Sequence, residues 1–137
     1  MVKSARVLSS VLLSAALMLC AIEPATAKPL TPADRAKLQA TMFKEINRRL
    51  VDGAYLHFDT AAEKVNPLYP SKTHPMVLSM GEHFVLCTDF KTKTGQSVNI
   101  DFYVARKKNS FVIFKTAVGE RKVVEKLMQA GRVKMIN

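Results

Sequence analysis

Six side chains that could take part in chemistry lie on two alternating segments near the middle of the chain. An imidazole with a thiol and a carboxylate could pair a nucleophile with a base or hold a metal ion. The same polar groups around an apolar centre could instead bind a small molecule. The choice depends on how the two segments pair. The six residues are His83, Cys87, Asp89, Asn99, Asp101 and Tyr103.

The two segments have the alternation of paired β-strands. Apolar residues occupy nearly every even position over residues 83–90 and 98–104. A period of two in β-branched and aromatic residues predicts strands with one buried face. Residues 93–95 offer a three-residue loop that ends in glycine, which allows the left-handed conformation such a loop needs. This loop pairs Phe90 with Val98 and thereby sets the register of the hairpin.

The predicted register places the polar side chains on the face opposite the apolar row, which we call the second face. A third segment, residues 111–118, is apolar at both parities, which indicates a strand covered on both sides. We therefore expect a helix or a curl of the sheet to cover part of the second face. The six polar residues around Val85 form the predicted floor of a binding pocket. The cross-strand pairs on this face are Cys87 with Asp101, Asp89 with Asn99, and Val85 with Tyr103.

Catalysis by Cys87 is the enzymatic alternative. In a thiol-dependent hydrolase, His83 or His57 would activate the thiol and Asp101 would steady the base. In a metal-dependent hydrolase, Cys87 and His83 would instead help to hold the metal ion. A neighbouring aspartate, however, discourages a thiol from ionising. The histidines lack a His-x-His motif or a helical spacing of four, and no paired cysteines accompany them. These patterns favour a non-enzymatic domain without a metal or other cofactor.

The first 27 residues have the pattern of an export signal. Lys3 and Arg6 precede an apolar run over residues 7–22, and a small-x-small cleavage site ends at Ala27. The run is shorter than the ~20 residues that a membrane-spanning helix needs. We expect cleavage after Ala27 to leave residues 28–137 as one domain, periplasmic or secreted, without a transmembrane segment. Cys87 would then be the only cysteine, so that dimerisation through it or through a sheet edge is a structural alternative.

The chain is basic, with 21 Lys and Arg against 11 Asp and Glu. Residues 28–137 keep 19 basic and 10 acidic residues, a formal net charge of 19 − 10 = +9. The basic residues are spread along the chain, and the aromatic residues of the alternating segments belong to the buried row. No stacking platform for nucleic acid is therefore predicted. Lipid head groups, envelope polysaccharide or an acidic protein are the expected anionic neighbours.

Two helices and further strands are predicted around the hairpin. Residues 31–50 combine a hydroxyl cap, a proline in the first turn and apolar residues at intervals of four. A short strand is predicted at residues 54–58, and a last helix between residues 120 and 131. The intervening prolines exclude a central strand and indicate a loop or an irregular edge strand. They are Pro67, Pro70 and Pro75.

These elements predict an α+β domain, with an N-terminal helix packed on a curved antiparallel meander of five or six strands and a short C-terminal helix. The layout resembles the cystatin-like and NTF2-like groups of folds. The resemblance is one of architecture without a shared motif, so it implies neither a function nor a residue role. We predict a small exported accessory or binding domain whose partner is a small molecule, an envelope component or a protein.

Overall fold

A helix, an antiparallel meander of six strands, a second helix and a short seventh strand follow one another along the chain. The computed structural model describes residues 29–136, so the predicted export signal at residues 1–27 lies outside the described residues. The first six strands are neighbours in chain order, and the seventh pairs with the third. Neither helix of the described part is both long and apolar enough to cross a bilayer. The elements, which confirm the predicted α+β class, are α1 Pro32–Arg49, β1 Leu50–Val51, β2 Ala54–Asp59, β3 Lys64–Met80, β4 His83–Lys91, β5 Ser97–Lys107, β6 Ser110–Val118, α2 Arg121–Gln129 and β7 Lys134–Ile136.

α1 begins at a capping box and packs one stripe of side chains on the sheet. The Thr31 hydroxyl accepts a hydrogen bond from the Asp34 amide at 3.0 Å, and the Asp34 carboxylate accepts one from the Thr31 amide at 3.2 Å. With Pro32 in the first turn, this arrangement satisfies amides that the helix itself leaves free. Side chains at intervals of four form the buried stripe: Leu38, Met42 and Ile46.

The β4–β5 hairpin has the predicted register. Phe90 pairs with Val98, and Cys87 lies opposite Asp101. Gly95 has a φ of 83° in the turn between the strands, which is the conformation that the predicted loop requires. The apolar row of the hairpin faces α1, and we call this side of the sheet the first face. Its core consists of Leu38, Met42, Ile46, Tyr55, Leu68, Val77, Phe84, Leu86, Phe90, Ile100, Phe102, Val104 and Phe111.

β3 corrects the prediction that its prolines exclude a central strand. The strand contains all three and lies between β2 and β4 in the sheet. Residues 64–68 pair with β2, residues 69–73 and 77–80 pair with β4, and β7 joins at residues 77–79. Pro67 and Pro70 therefore lie where β3 has a neighbour on one side, and Pro75 lies in the irregular stretch between Thr73 and Val77, where the register with β4 shifts. A proline is tolerated there because its missing N–H can face the open side.

The second face is partly covered by α2 and by Val133, which follows it. Val124 of α2 is fully buried against the sheet. α2 is the kind of cover that was predicted, but the prediction that β6 is covered on both sides was wrong, because Val112 is 41% exposed and Phe114 is 54% exposed. A second, smaller core results, made of Leu78, Val85, Cys87, Tyr103, Ala117, Val124 and Val133.

Candidate functional site

Arg121, at the first position of α2, contacts two of the predicted site residues. Its Nη1 donates to Asp101 Oδ1 at 3.0 Å and to Cys87 Sγ at 2.7 Å. The Asp101 side chain is 0% exposed and Cys87 is 4% exposed. Burying a carboxylate without a partner is costly, so the guanidinium makes this position of Asp101 tolerable. We call Cys87, Asp101 and Arg121 the buried cluster.

Asp89 and Asn99 form a more accessible polar group beside the buried cluster. Asp89 Oδ2 lies 2.9 Å from His74 Nε2, and both side chains are partly exposed. The Asn99 amide lies between Asp89 and Asp101. Its nitrogen is 3.3 Å from Asp89 Oδ1 in one orientation and 3.1 Å from both oxygens of Asp101 in the other, which satisfies both amide atoms better. His74, a histidine outside the six predicted site residues, thus joins two of them from β3.

His83 lies apart from the thiol that it was proposed to activate. Its ring contacts Phe114 edge to face with the centroids 5.5 Å apart, and Phe114 also contacts Tyr103 at 6.4 Å. Four residues of β4 separate His83 from Cys87, which corresponds to about 13 Å along a strand. His83 and Tyr103 therefore belong to an aromatic group around Phe114. The structure brings Cys87 and Asp101 together, with Arg121 at the thiol in place of His83 or His57.

The surroundings of Cys87 favour the neutral thiol. Burial first, and then the hydrogen bond and charge of Asp101, raise the pKa of the thiol to about 12, against the opposing effect of Arg121. The thiolate is the nucleophilic form of cysteine, so a thiol with this pKa is inert at neutral pH. Burial and the charge of Asp101 likewise raise the pKa of Tyr103. This environment suits a small structural side chain better than a nucleophile.

A metal site has no support among residues 29–136. No group of three or more His, Cys, Asp or Glu side chains in this part of the chain is arranged to hold an ion. In the buried cluster, the Arg121 guanidinium already places a positive charge beside both Cys87 and Asp101. The thiol and the carboxylate are thus bound to a protein cation.

An open groove lies on the first face, where the sequence predicted no site. It has a volume of about 510 Å³ and lies between the β2–β3 hairpin and the β4–β5 turn. Leu68, Val98 and Val118 form its apolar floor. Polar side chains of both hairpins surround this floor. They are His57, Asp59, Lys64, Asn66, Thr92, Lys93, Thr94 and Gln96.

The groove arises from the change of partner along β3. β2 pairs with residues 64–68 and β4 pairs from residue 69 onward, so the end of the β2–β3 hairpin extends past β4. The β4–β5 turn forms the opposite wall, braced by Thr92, whose Oγ1 accepts from the Gln96 amide at 3.1 Å. The only sequence signal for this change was the pair Pro67 and Pro70, which mark where one neighbour is exchanged for the other.

A larger cavity of about 670 Å³ lies where the ends of the described chain meet. Pro29 and Ile136 form part of its wall, together with Arg35, Arg132 and Lys134. Its outline depends on both ends of the described chain, whereas the smaller groove is open and is lined by strand and turn residues away from those ends. We therefore take the first-face groove as the candidate binding site.

Comparisons of the chain with protein-family models, curated proteins and solved structures gave no match. The resemblance to cystatin-like and NTF2-like folds consequently remains one of layout, and no residue role is transferred from another protein. The function proposed below therefore rests on the geometry of residues 29–136.

Proposed function

We propose that the protein is a small exported, non-enzymatic binding domain whose first-face groove holds a small molecule. The observation that carries the proposal is the groove itself, about 510 Å³ with an apolar floor and a polar rim. Ligand pockets typically have volumes of about 300–1,000 Å³ and combine apolar walls with a few orienting polar groups. Export is supported by the charge, apolar run and cleavage pattern of residues 1–27.

The lining favours an amphiphilic ligand with an anionic end. Leu68, Val98 and Val118 offer contact to an apolar body. Lys64 and Lys93, one from each wall, offer positive charge at the rim. The rim carboxylate, Asp59, accepts hydrogen bonds from two turn amides at 3.0 Å. Those bonds give its charge a partner within the turn.

Hydrolysis by Cys87 is the less favoured function. Burial raises the pKa of the Cys87 thiol to about 12, and the ring of His83 packs against Phe114 and not against the thiol. Binding on the second face, as the sequence predicted, would have to use the accessible group of His74, Asp89 and Asn99. Asp101, in contrast, is fully buried.

Native mass spectrometry of the mature protein from an exported fraction tests the proposal. We expect a reproducible extra mass that survives a chelator and is absent from the Val98→Trp variant, because the indole would fill the groove from its floor. Val123→Trp is the matched control: it adds the same group at an exposed valine of α2. The control should keep the extra mass.

Two outcomes would overturn the groove as the binding site. One is a bare wild-type protein in repeated exported preparations, and the other is an extra mass that Val98→Trp retains in full. Circular dichroism must show that the variant is folded. If it is not, Gln96→Trp at the exposed rim provides the same test without changing the floor.

A further inference from the structure

One side of β2 lacks a neighbouring strand along most of its length. β1 pairs with β2 at Ala54 and Tyr55, and β3 pairs along the opposite side. Among residues 29–136, no strand pairs with residues 56–59 on the side away from β3, and we call these residues the open edge. β2 contains no proline or lysine, and its register with β3 has no shift. The open edge therefore lacks the features that commonly keep an edge strand from pairing.

The β1–β2 turn determines which backbone groups of β2 point outward. Asp52 and Gly53, its two central residues, have φ values of 49° and 78°. Positive φ at both positions defines a type I′ turn, and the flanking residues of such a turn, Val51 and Ala54, form a hydrogen-bonded pair. The N–H and C=O of Ala54 therefore point to β1. These groups alternate sides along a strand, so every second residue after Ala54 points the same way.

Leu56 and Phe58 are thus the residues whose N–H and C=O groups point outward at the open edge. Pro67 supports this assignment, because it pairs with Leu56 and has no N–H to donate to β2. The amides of His57 and Asp59 point instead to β3. Two donors and two acceptors are therefore directed to the place where a further strand would lie.

Exposed apolar side chains lie beside the open edge on the second face. Leu56 is 47% exposed and Phe58 is 58% exposed. Val65, which pairs with Phe58, and Val51 on β1 are exposed as well. All four side chains lie outside the two cores. Contiguous apolar surface of this kind marks interaction sites.

The segment around the open edge is acidic within a basic chain. Residues 50–63 contain three acids and no Lys or Arg, whereas the whole chain has 21 Lys and Arg against 11 Asp and Glu. Asp52 and Glu63, in the turns at the two ends of β2, are exposed. Antiparallel pairing of two β2 strands would bring these like charges of two copies together, which opposes self-association. The charge instead favours a partner with basic residues beside its apolar ones.

We propose that the open edge binds an extended segment of a partner protein, which adds an antiparallel strand beside β2. The backbone of the segment pairs with the outward groups of Leu56 and Phe58. Its residues opposite these two are apolar and lie on the second face, and the residue between them lies beside His57 on the first face. Lys or Arg flanks the paired stretch. The pairing does not depend on what the first-face groove holds.

Selection of random peptides displayed on phage tests the recognised pattern. The mature chain should enrich peptides with apolar residues at alternate positions and Lys or Arg on either side. In a synthetic copy of an enriched peptide, methylation of the backbone nitrogens of the two apolar residues should abolish binding. Methylation of the residue between them should be tolerated, because its N–H points away from β2.

Amide hydrogen exchange, followed by NMR, tests the edge in the unmodified protein. The amides of Leu56 and Phe58 should exchange faster than those of Tyr55 and His57, which are hydrogen-bonded to β3. Saturation with an enriched peptide should slow the first two at least about tenfold and change the other two much less.

Lysine substitutions at the edge provide a further test. L56K/F58K should lower the affinity for an enriched peptide at least about tenfold, because lysines beside a basic segment repel it. V123K/M135K is the matched control, since it adds the same charge at exposed apolar residues of α2 and β7. It should bind nearly as well as the wild type.

Several results would overturn the proposal. They are the absence of enriched peptides, enriched peptides without the alternation, equal losses in the two lysine variants, and unchanged exchange at Leu56 and Phe58 on binding. Peptide binding that Val98→Trp abolishes and L56K/F58K retains would assign the peptides to the first-face groove instead. Circular dichroism of each variant separates these results from unfolding, and the exchange measurement needs no variant.

Discussion

A buried carboxylate is retained in the middle of β5 because several donors converge on it. Arg121 donates to Asp101 at 3.0 Å, and the Asn99 amide reaches both of its oxygens at 3.1 Å in the better-satisfied orientation. A buried ion pair contributes little net stability, but loss of one partner is expensive. The buried cluster therefore specifies where the start of α2 docks on the sheet. The polar contacts of Asp101 thus serve to position α2.

Cys87 should behave as an inert thiol. At pH 8.5, we expect iodoacetamide to modify it roughly a thousandfold more slowly in the folded protein than in urea, because a pKa of about 12 leaves little thiolate. The pKa is raised on folding, so the associated stability is present below pH 9.0 and is lost as the pH rises towards about 12. Mass spectrometry follows the modification, and urea titrations follow the stability.

Cys87→Ala is the control for the alkaline loss of stability. The variant has no thiol to ionise, so its free energy of unfolding should fall less than that of the wild type between pH 9.0 and about 12. Rapid alkylation of the folded wild type would contradict the prediction that the thiol is inert and would support Cys87 as a nucleophile.

α2 depends on its contacts more than on its own sequence. It has nine residues, Glu120 makes no side-chain cap, and the first turn contains no acid. Arg121 and Lys122 instead place positive charge at the positive end of the helix dipole. A helix this short is marginal in water without tertiary packing. Its docking therefore rests on the Arg121 ion pair and on the burial of Val124.

Adjacent valines of α2 provide a matched test of this dependence. Val124 is 0% exposed and Val123 is 46% exposed. Val124→Ala should lower the free energy of unfolding by about 2 kcal/mol, because it removes buried methyl groups and leaves a cavity. Val123→Ala should stay within about 0.5 kcal/mol of the wild type. Chemical denaturation measures both. Equal values would mean that α2 does not pack as described.

Local patterns predicted the elements whose partners are adjacent in the chain. The alternation on both sides of Gly95 was enough to predict the β4–β5 register, because a hairpin needs only its turn and its apolar row. The central position of β3 was not predicted, since proline rules assume paired neighbours on both sides, whereas Pro67 and Pro70 have a neighbour on one side and Pro75 lies in a register shift. The Arg121 contact and the first-face groove depend on docking between distant elements, which periodicity does not report.

At the scale of the whole molecule, the outer strand β6 is protected against pairing with another chain. It is the last strand of the meander and, among residues 29–136, pairs with β5 alone. The register shifts between Tyr103 and Val104, which leaves Phe114 as an extra residue in β6. Such a bulge distorts the edge, and the next residue, Lys115, is exposed and charged. Bulges and exposed lysines are common features that prevent an edge strand from pairing with a strand of another chain.

Removal of this protection should favour self-association. We expect the mature protein to sediment as a monomer with or without reductant, because the edge is blunted and Cys87 is buried. Lys115→Val should add a concentration-dependent dimer or larger species in analytical ultracentrifugation, since Val112, Phe114 and the new valine would form an apolar edge. Lys122→Val, an equal change on exposed α2, should remain monomeric. A wild-type dimer that survives reductant would contradict this account and would identify β6 as a natural interface.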